Sequence, residues 1–267
     1  MDKPQNRVLS LKVFGLLLLG AILGVAAIIP YSLALTPLPP ALQAQLGLVL
    51  LASIIQNGVL FGVATALGLW LGGKVGLGAP MLRDWLAGNP EAPRAFRAGL
   101  PLAIALGVAS SVLVVVLDLV VFQPLMPASL VASTGGTLMP PAWQGFLASF
   151  YGGIDEELLL RLFLMSLLVW VGCKLTRTAT PGAAVAWTAN ILAAIVFGIG
   201  HLPATAALFP LTAVIVVRAI VLNGLVGVAA GWLYWRRGIL LAMAAHFSAD
   251  IVLHVLLPLI GQLVGTS

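Results

Sequence analysis

The sequence predicts an all-α membrane protein: a polytopic transmembrane bundle of about seven spans, with an eighth left open, around a polar cavity within the membrane. Three observations carry this. The 267-residue chain is 61% hydrophobic and only 8% charged, against about 25% charged in a typical soluble domain. Its apolar stretches are long and unbroken, as in LPLAIALGVASSVLVVVL from Leu100, without the alternation of a membrane β-barrel. Its Lys and Arg residues gather in every second loop, the pattern that sets membrane topology.

The elements follow in order. MDKPQNRVLSLK precedes an apolar run that is too long for the 7–15-residue core of a cleavable signal, so 13–35 reads as a first span. A second span covers 43–72, and the Gly- and Pro-rich connector 73–97 carries mixed charge and a short interfacial helix around Met81–Leu86. Further spans cover 98–123, 144–173, 183–201, 206–235 and 239–262, each long enough for the roughly 20 residues a crossing needs. Lys3, Arg7 and Lys12, then Lys74, Arg83, Arg94 and Arg97, then Lys174 and Arg177, then Arg236 and Arg237 occupy alternate connections. The loops near 36–42, 124–143 and 202–206 hold no Lys or Arg. The N-terminus is thus expected in the cytoplasm and the C-terminus outside. The segment 206–235 is long and carries Arg218 midway, so it could cross twice, although two crossings would break the charge alternation. No internal repeat stands out, and residues 1–267 read as one membrane domain. Its first three spans, 13–123, have no assignable role, and 144–262 hold the chemistry. The net charge of +5 reads as loop charge and not as a nucleic-acid surface. Cys173, the lone cysteine, reads as packing.

Five of the eight acids, Asp118, Asp155, Glu156, Glu157 and Asp250, fall inside spans, as do all three histidines or their nearest turns. A charge at mid-bilayer costs about 2.5–3.5 kcal/mol on insertion scales, and such residues mark functional sites by default. Glu157 and Arg161 lie four residues apart in the fourth span and share a helix face. Glu156 is turned from them by about 100°. Two neighbouring carboxylates in a low-dielectric site do not both ionise freely, which suits one of them to proton transfer. The ordinary alternative is an ion pair that stitches helices together. His201 ends the fifth span, before Pro203. His246, Asp250 and His254 recur every four residues in the last span and face the protein interior, as catalytic groups or as hydrogen-bonding glue. His254 reads as a bystander, and Asp155 as a neighbour at the wetter edge of its helix. Acids, an arginine and histidines converging from three spans suit water activation or metal binding. No HExxH motif is present, and no glycine-rich elbow carries a serine nucleophile.

EELLLR (Glu156 to Arg161), FGIGH (Phe197 to His201) and HFSAD (His246 to Asp250) together resemble the EExxxR, FxxxH and HxxxN/D motifs of the CAAX protease and bacteriocin-processing family, which includes the type II CAAX prenyl endopeptidase. The resemblance covers about 144–254. It implies an intramembrane endopeptidase. Glu156 and His201 would hold and deprotonate water, His246 and Asp250 would stabilise the oxyanion or position the scissile carbonyl, Glu157 and Arg161 would orient the cluster, and Phe197 would pack beneath His201. With Asp at 250 in place of Asn, that residue would instead hold His246. A metal-free glutamate mechanism is favoured; a zinc site would draw on Glu156, His201 and His246. The expected substrate is a membrane-associated protein or peptide: a sorting signal, a bacteriocin or pheromone precursor, or a CAAX-like tail, in a bacterial inner membrane. Two other classes compete: a proton-coupled transporter, which would favour two related halves, and a catalytically idle membrane adaptor or chaperone.

Overall fold

The computed structural model describes residues 3–127, 140–263 and 265, with side chains from residue 6 onward. The described residues are almost wholly helical and contain no strand. Among the described residues, seven helices are long and apolar enough to cross a membrane. They are α1 (Asn6–Leu35), α2 (Leu46–Val75), α3 (Glu91–Leu125), α4 (Ala142–Thr176), α5 (Ala183–Leu208), α6 (Ala213–Arg237) and α7 (Ile239–Leu263). The interfacial helix of the connector is Pro80–Leu86. Most of the expected uncharged loop, 128–139, lies outside the described residues, as does the Lys3 side chain.

The doubtful segment forms one span-length helix and not two. The chain turns at His201, continues in a short helix from Leu202 to Leu208, and leaves helical geometry before Pro210. Pro210 has no N–H to extend a helix. Thr212 then caps α6 by accepting the Ile215 N–H, so the sixth span begins at Ala213 and not at 206. Arg218 does not cross the membrane alone. Its Nε and Nη2 donate to the two carboxylate oxygens of Asp118 at 2.6 and 2.9 Å, a two-point bond that ties α6 to α3.

Burial sorts the helices. In their most apolar windows, 44% of α4 and 39% of α7 is buried but only 6% of α2. Leu48, Leu51, Ile55, Val59 and Val63 of α2 point outward, as suits a lipid face. α4 lies at the centre, packed against α1, α2, α5, α6 and α7. Small residues allow these approaches. A Cβ on Gly68 would stand 2.5 Å from the Leu162 carbonyl oxygen, and one on Gly198 would stand 2.5 Å from Ile220 Cα. Gly238, at φ +87°, is the single residue between α6 and α7; that left-handed region favours glycine.

α4 is not a regular helix. Its turns widen to i→i+5 bonding over Tyr151–Glu156 and Leu158–Met165. The same occurs in α3 over Asp118–Phe122 and in α7 over Ile251–Leu256. Widened turns re-aim side chains and gather at functional sites; all four here contain a charged or titratable residue.

The close contact of α5 with α6 generates a prediction. Gly198→Val overpacks that interface and destabilises the protein by about 1–3 kcal/mol. Thermal melting in detergent measures it; a wild-type midpoint would contradict the close approach.

Candidate active site

The fourth span supplies the buried half of the site. Glu157 and Arg161 are 0% and 1% exposed, and Arg161 Nη1 lies 2.8 Å from Glu157 Oε1. The same Oε1 accepts His246 Nδ1–H at 2.8 Å from α7. The Arg161 guanidinium also lies over the Phe197 ring, 4.9 Å from its centre. That ring stands edge to face with His201 at 4.7 Å and with His246 at 5.3 Å. The expected pairing of Glu157 with Arg161, and of Phe197 with His201, is therefore what the structure contains.

Glu156 points the other way, into a cavity of about 420 Å³ lined also by Phe197, His201, His246 and Asp250. Its Oε1 is 4.0 Å from His201 Nε2, and its Oε2 is 3.6 Å from His246 Nε2. Asp250 Oδ1 stands 3.7 Å from the same His246 nitrogen. Three carboxylates thus surround one imidazole, with Arg161 behind it. The orientation of His201 is set by the backbone: its Nδ1 lies 2.9 Å from the Phe197 carbonyl oxygen. A carbonyl only accepts, so Nδ1 carries the proton and Nε2 turns a lone pair toward Glu156.

The approach of α7 to α4 depends on Gly152 and Gly153. A Cβ on Gly152 would collide with Asp250 Oδ2, and one on Gly153 would stand 2.9 Å from Phe247 Cβ. A second cavity, of about 330 Å³, shares Tyr151, Glu156, Phe197, Gly200 and His201 with the first. It runs between α4 and α5 along Leu159, Phe163 and Val196. Glu156 and His201 line both cavities.

Among the described residues, no three His, Cys, Asp or Glu side chains form a group that could hold a metal ion. The zinc set Glu156, His201 and His246 does not fit on this geometry, and no step below is routed through a metal.

One expectation is corrected. Asp155 is not at a wet edge: it is fully buried against Gly24 of α1, where a Cβ would collide with its Oδ2. The reason is that α1 covers that side of α4. His254 lines the cavity with the other two histidines, its Nδ1 3.2 Å from the Tyr31 hydroxyl. Tyr31, Tyr151 and Asn223 also line the cavity and were missed. Only three tyrosines occur in the chain. A phenol set within an aliphatic span wants a polar partner, and that signal was available for Tyr31.

Residues 138–252 match the family model described as type II CAAX prenyl endopeptidase Rce1-like. That segment contains all three motifs. No curated protein and no solved structure matches the chain.

The buried pair sets a stability test. Removing one partner of a buried ion pair costs about 3–5 kcal/mol, whereas partly exposed pairs are worth far less. Arg161→Ala is therefore expected to destabilise the protein more than Arg218→Ala does. Equal melting points for the two variants would contradict the assignment.

Proposed function

We propose, with residues 138–252 an Rce1-like domain, that the chain is an intramembrane endopeptidase in which Glu156 and His201 activate water. The observation that carries this reading is the facing pair of acceptors, Glu156 Oε1 and His201 Nε2, 4.0 Å apart. Polar groups at that separation suit a bridging water. A water between them donates one proton to each and keeps a lone pair free for a carbonyl carbon.

The chemistry follows from the donors and acceptors. The water oxygen attacks the scissile carbon as its proton passes to Glu156, and the carbonyl π pair becomes an oxyanion. General-base help of this kind contributes about 10²–10⁴-fold. His246, whose Nδ1–H is engaged by Glu157, presents Nε2 to the cavity. When protonated, that nitrogen donates to the oxyanion. Asp250 holds His246 on the other side. Collapse of the intermediate returns the proton from Glu156 to the leaving amine as the C–N bond breaks; the remaining hydroxyl proton passes to His201 Nε2, giving a carboxylate and an amine. Glu157, Arg161 and Phe197 act by holding the imidazoles in place.

The substrate class follows from the paired cavities. An extended chain lying across both would place apolar groups along Leu159, Phe163 and Val196 and a backbone carbonyl beside Glu156. This suits a membrane-associated peptide, such as a sorting signal, a precursor peptide or a CAAX-like tail. Charge alternation in the loops favours a bacterial inner membrane with the N-terminus in the cytoplasm and the C-terminus outside. Reporter fusions test this: a cytoplasm-active reporter is expected to work at the N-terminus and an export-dependent one at the C-terminus.

The decisive assay uses purified protein and a fluorogenic peptide ending in a farnesylated Cys-a-a-X sequence, beside unprenylated membrane-tethered peptides. Glu156→Ala and His201→Ala are expected to lose at least 10²-fold in rate with unchanged melting points. A chelator is expected to leave the wild-type rate unchanged. Full cleavage by both variants would sink the endopeptidase reading and favour an idle membrane adaptor.

A further inference from the structure

One group of polar residues in the cavity has no part in the mechanism above. Tyr31 comes from α1, and His254 lies one turn beyond Asp250 on α7. Both are outside residues 138–252, and neither belongs to the three motifs. Yet the Tyr31 hydroxyl lies 3.2 Å from His254 Nδ1, with the two rings edge to face at 5.5 Å. The other ring nitrogen, His254 Nε2, faces Asp250 Oδ1 at 3.9 Å. That oxygen is the one that stands 3.7 Å from His246 Nε2.

The proton positions follow from the partners. At 3.9 Å the Asp250 carboxylate makes no direct hydrogen bond to Nε2, but its negative charge favours a proton on that nitrogen, so the neutral imidazole is expected to carry its proton there. Nδ1 is then bare and accepts the Tyr31 O–H. Asp250 Oδ1 lies between two imidazoles, and the second imidazole is oriented by a phenol from the first span. Backbone packing holds this geometry in place. α4 comes so close to α7 at Gly145 that a Cβ there would collide with the His254 carbonyl oxygen. α1 packs on the same part of α4.

We propose that Tyr31 and His254 are positioning residues of this site: a relay from Tyr31 through His254 to Asp250 that sets the Asp250 carboxylate against His246. The role assigned to Asp250 rests on the endopeptidase reading. The relay has a practical meaning there. An asparagine at 250 would carry an amide whose own donor and acceptor fix its orientation. An aspartate has two equivalent acceptors, and the imidazole of His254 supplies the missing direction. The N-terminal spans, which have no motif of their own, are then part of the active site through α1.

Two measurements test the relay, and the first needs no substrate. The chain has three histidines, so a spectrum of ¹⁵N-histidine-labelled protein in detergent carries three resolvable imidazoles. His201 and His246 are expected to carry a proton on Nδ1, and His254 to carry its proton on Nε2 with Nδ1 bare. Tyr31→Phe is expected to shift the signals of His254 and, through Asp250, those of His246, while leaving His201 unchanged. In an Asp250→Asn background, Tyr31→Phe should no longer move His246. An Nδ1-protonated His254, or a Tyr31→Phe spectrum in which His246 stays put, overturns the proposal.

The second measurement is kinetic, with whichever peptide the wild type cleaves. Tyr31→Phe removes one hydroxyl and is expected to lower kcat about tenfold, the scale of one hydrogen bond to a charged network, with KM and melting point unchanged. A wild-type kcat in Tyr31→Phe beside a dead Glu156→Ala overturns the relay alone. A wild-type rate in Glu156→Ala overturns the endopeptidase reading and leaves the spectral result to decide whether the relay exists.

Discussion

The buried pair of Glu157 and Arg161 is the interaction on which the rest depends. Two full charges stand at 0% and 1% exposure inside a bundle whose outer faces are aliphatic. Removing either partner of such a pair leaves the other charge buried and uncompensated. One carboxylate oxygen serves both Arg161 and His246, and the guanidinium plane covers Phe197. Phe197 in turn backs both His201 and His246. α4, α5 and α7 thus meet through one anion and one aromatic ring. If either charge is removed, the imidazoles lose their common reference.

The three consecutive acids of α4 show why that helix must be central. Consecutive side chains leave a helix about 100° apart, so Asp155, Glu156 and Glu157 cannot all serve one site. Each faces a different neighbour: Asp155 meets α1, Glu156 enters the cavity, and Glu157 turns to α7 and its own helix. A lipid-facing helix could house none of the three. A helix packed on five others can house all of them, and its widened turns let it adjust their directions without breaking.

Much of this was readable from the chain. The seven spans follow from apolar length, and loop charge alone already favoured a single crossing at the sixth. The Glu157–Arg161 pair follows from helical spacing, and the three motifs identify Glu156, His201, His246 and Asp250 as a set. What was not readable depends on helices that meet across the bundle. Asp155 was misplaced because periodicity assigns a residue to a helix face but does not say which other helix covers that face. Tyr31 was missed for the same reason, since its partner lies 223 positions away. Gly152 carries no chemistry, and its importance appears only when α7 lies against it.

The one-residue connection at Gly238 has a mechanical consequence. With no slack between them, α6 and α7 form a bent lever with a single pivot. Its far side is tethered, because Arg218 on α6 is bound at two points to Asp118 on α3. Any swing of the arm that carries His246 and Asp250 must therefore drag the opposite wall of the bundle with it.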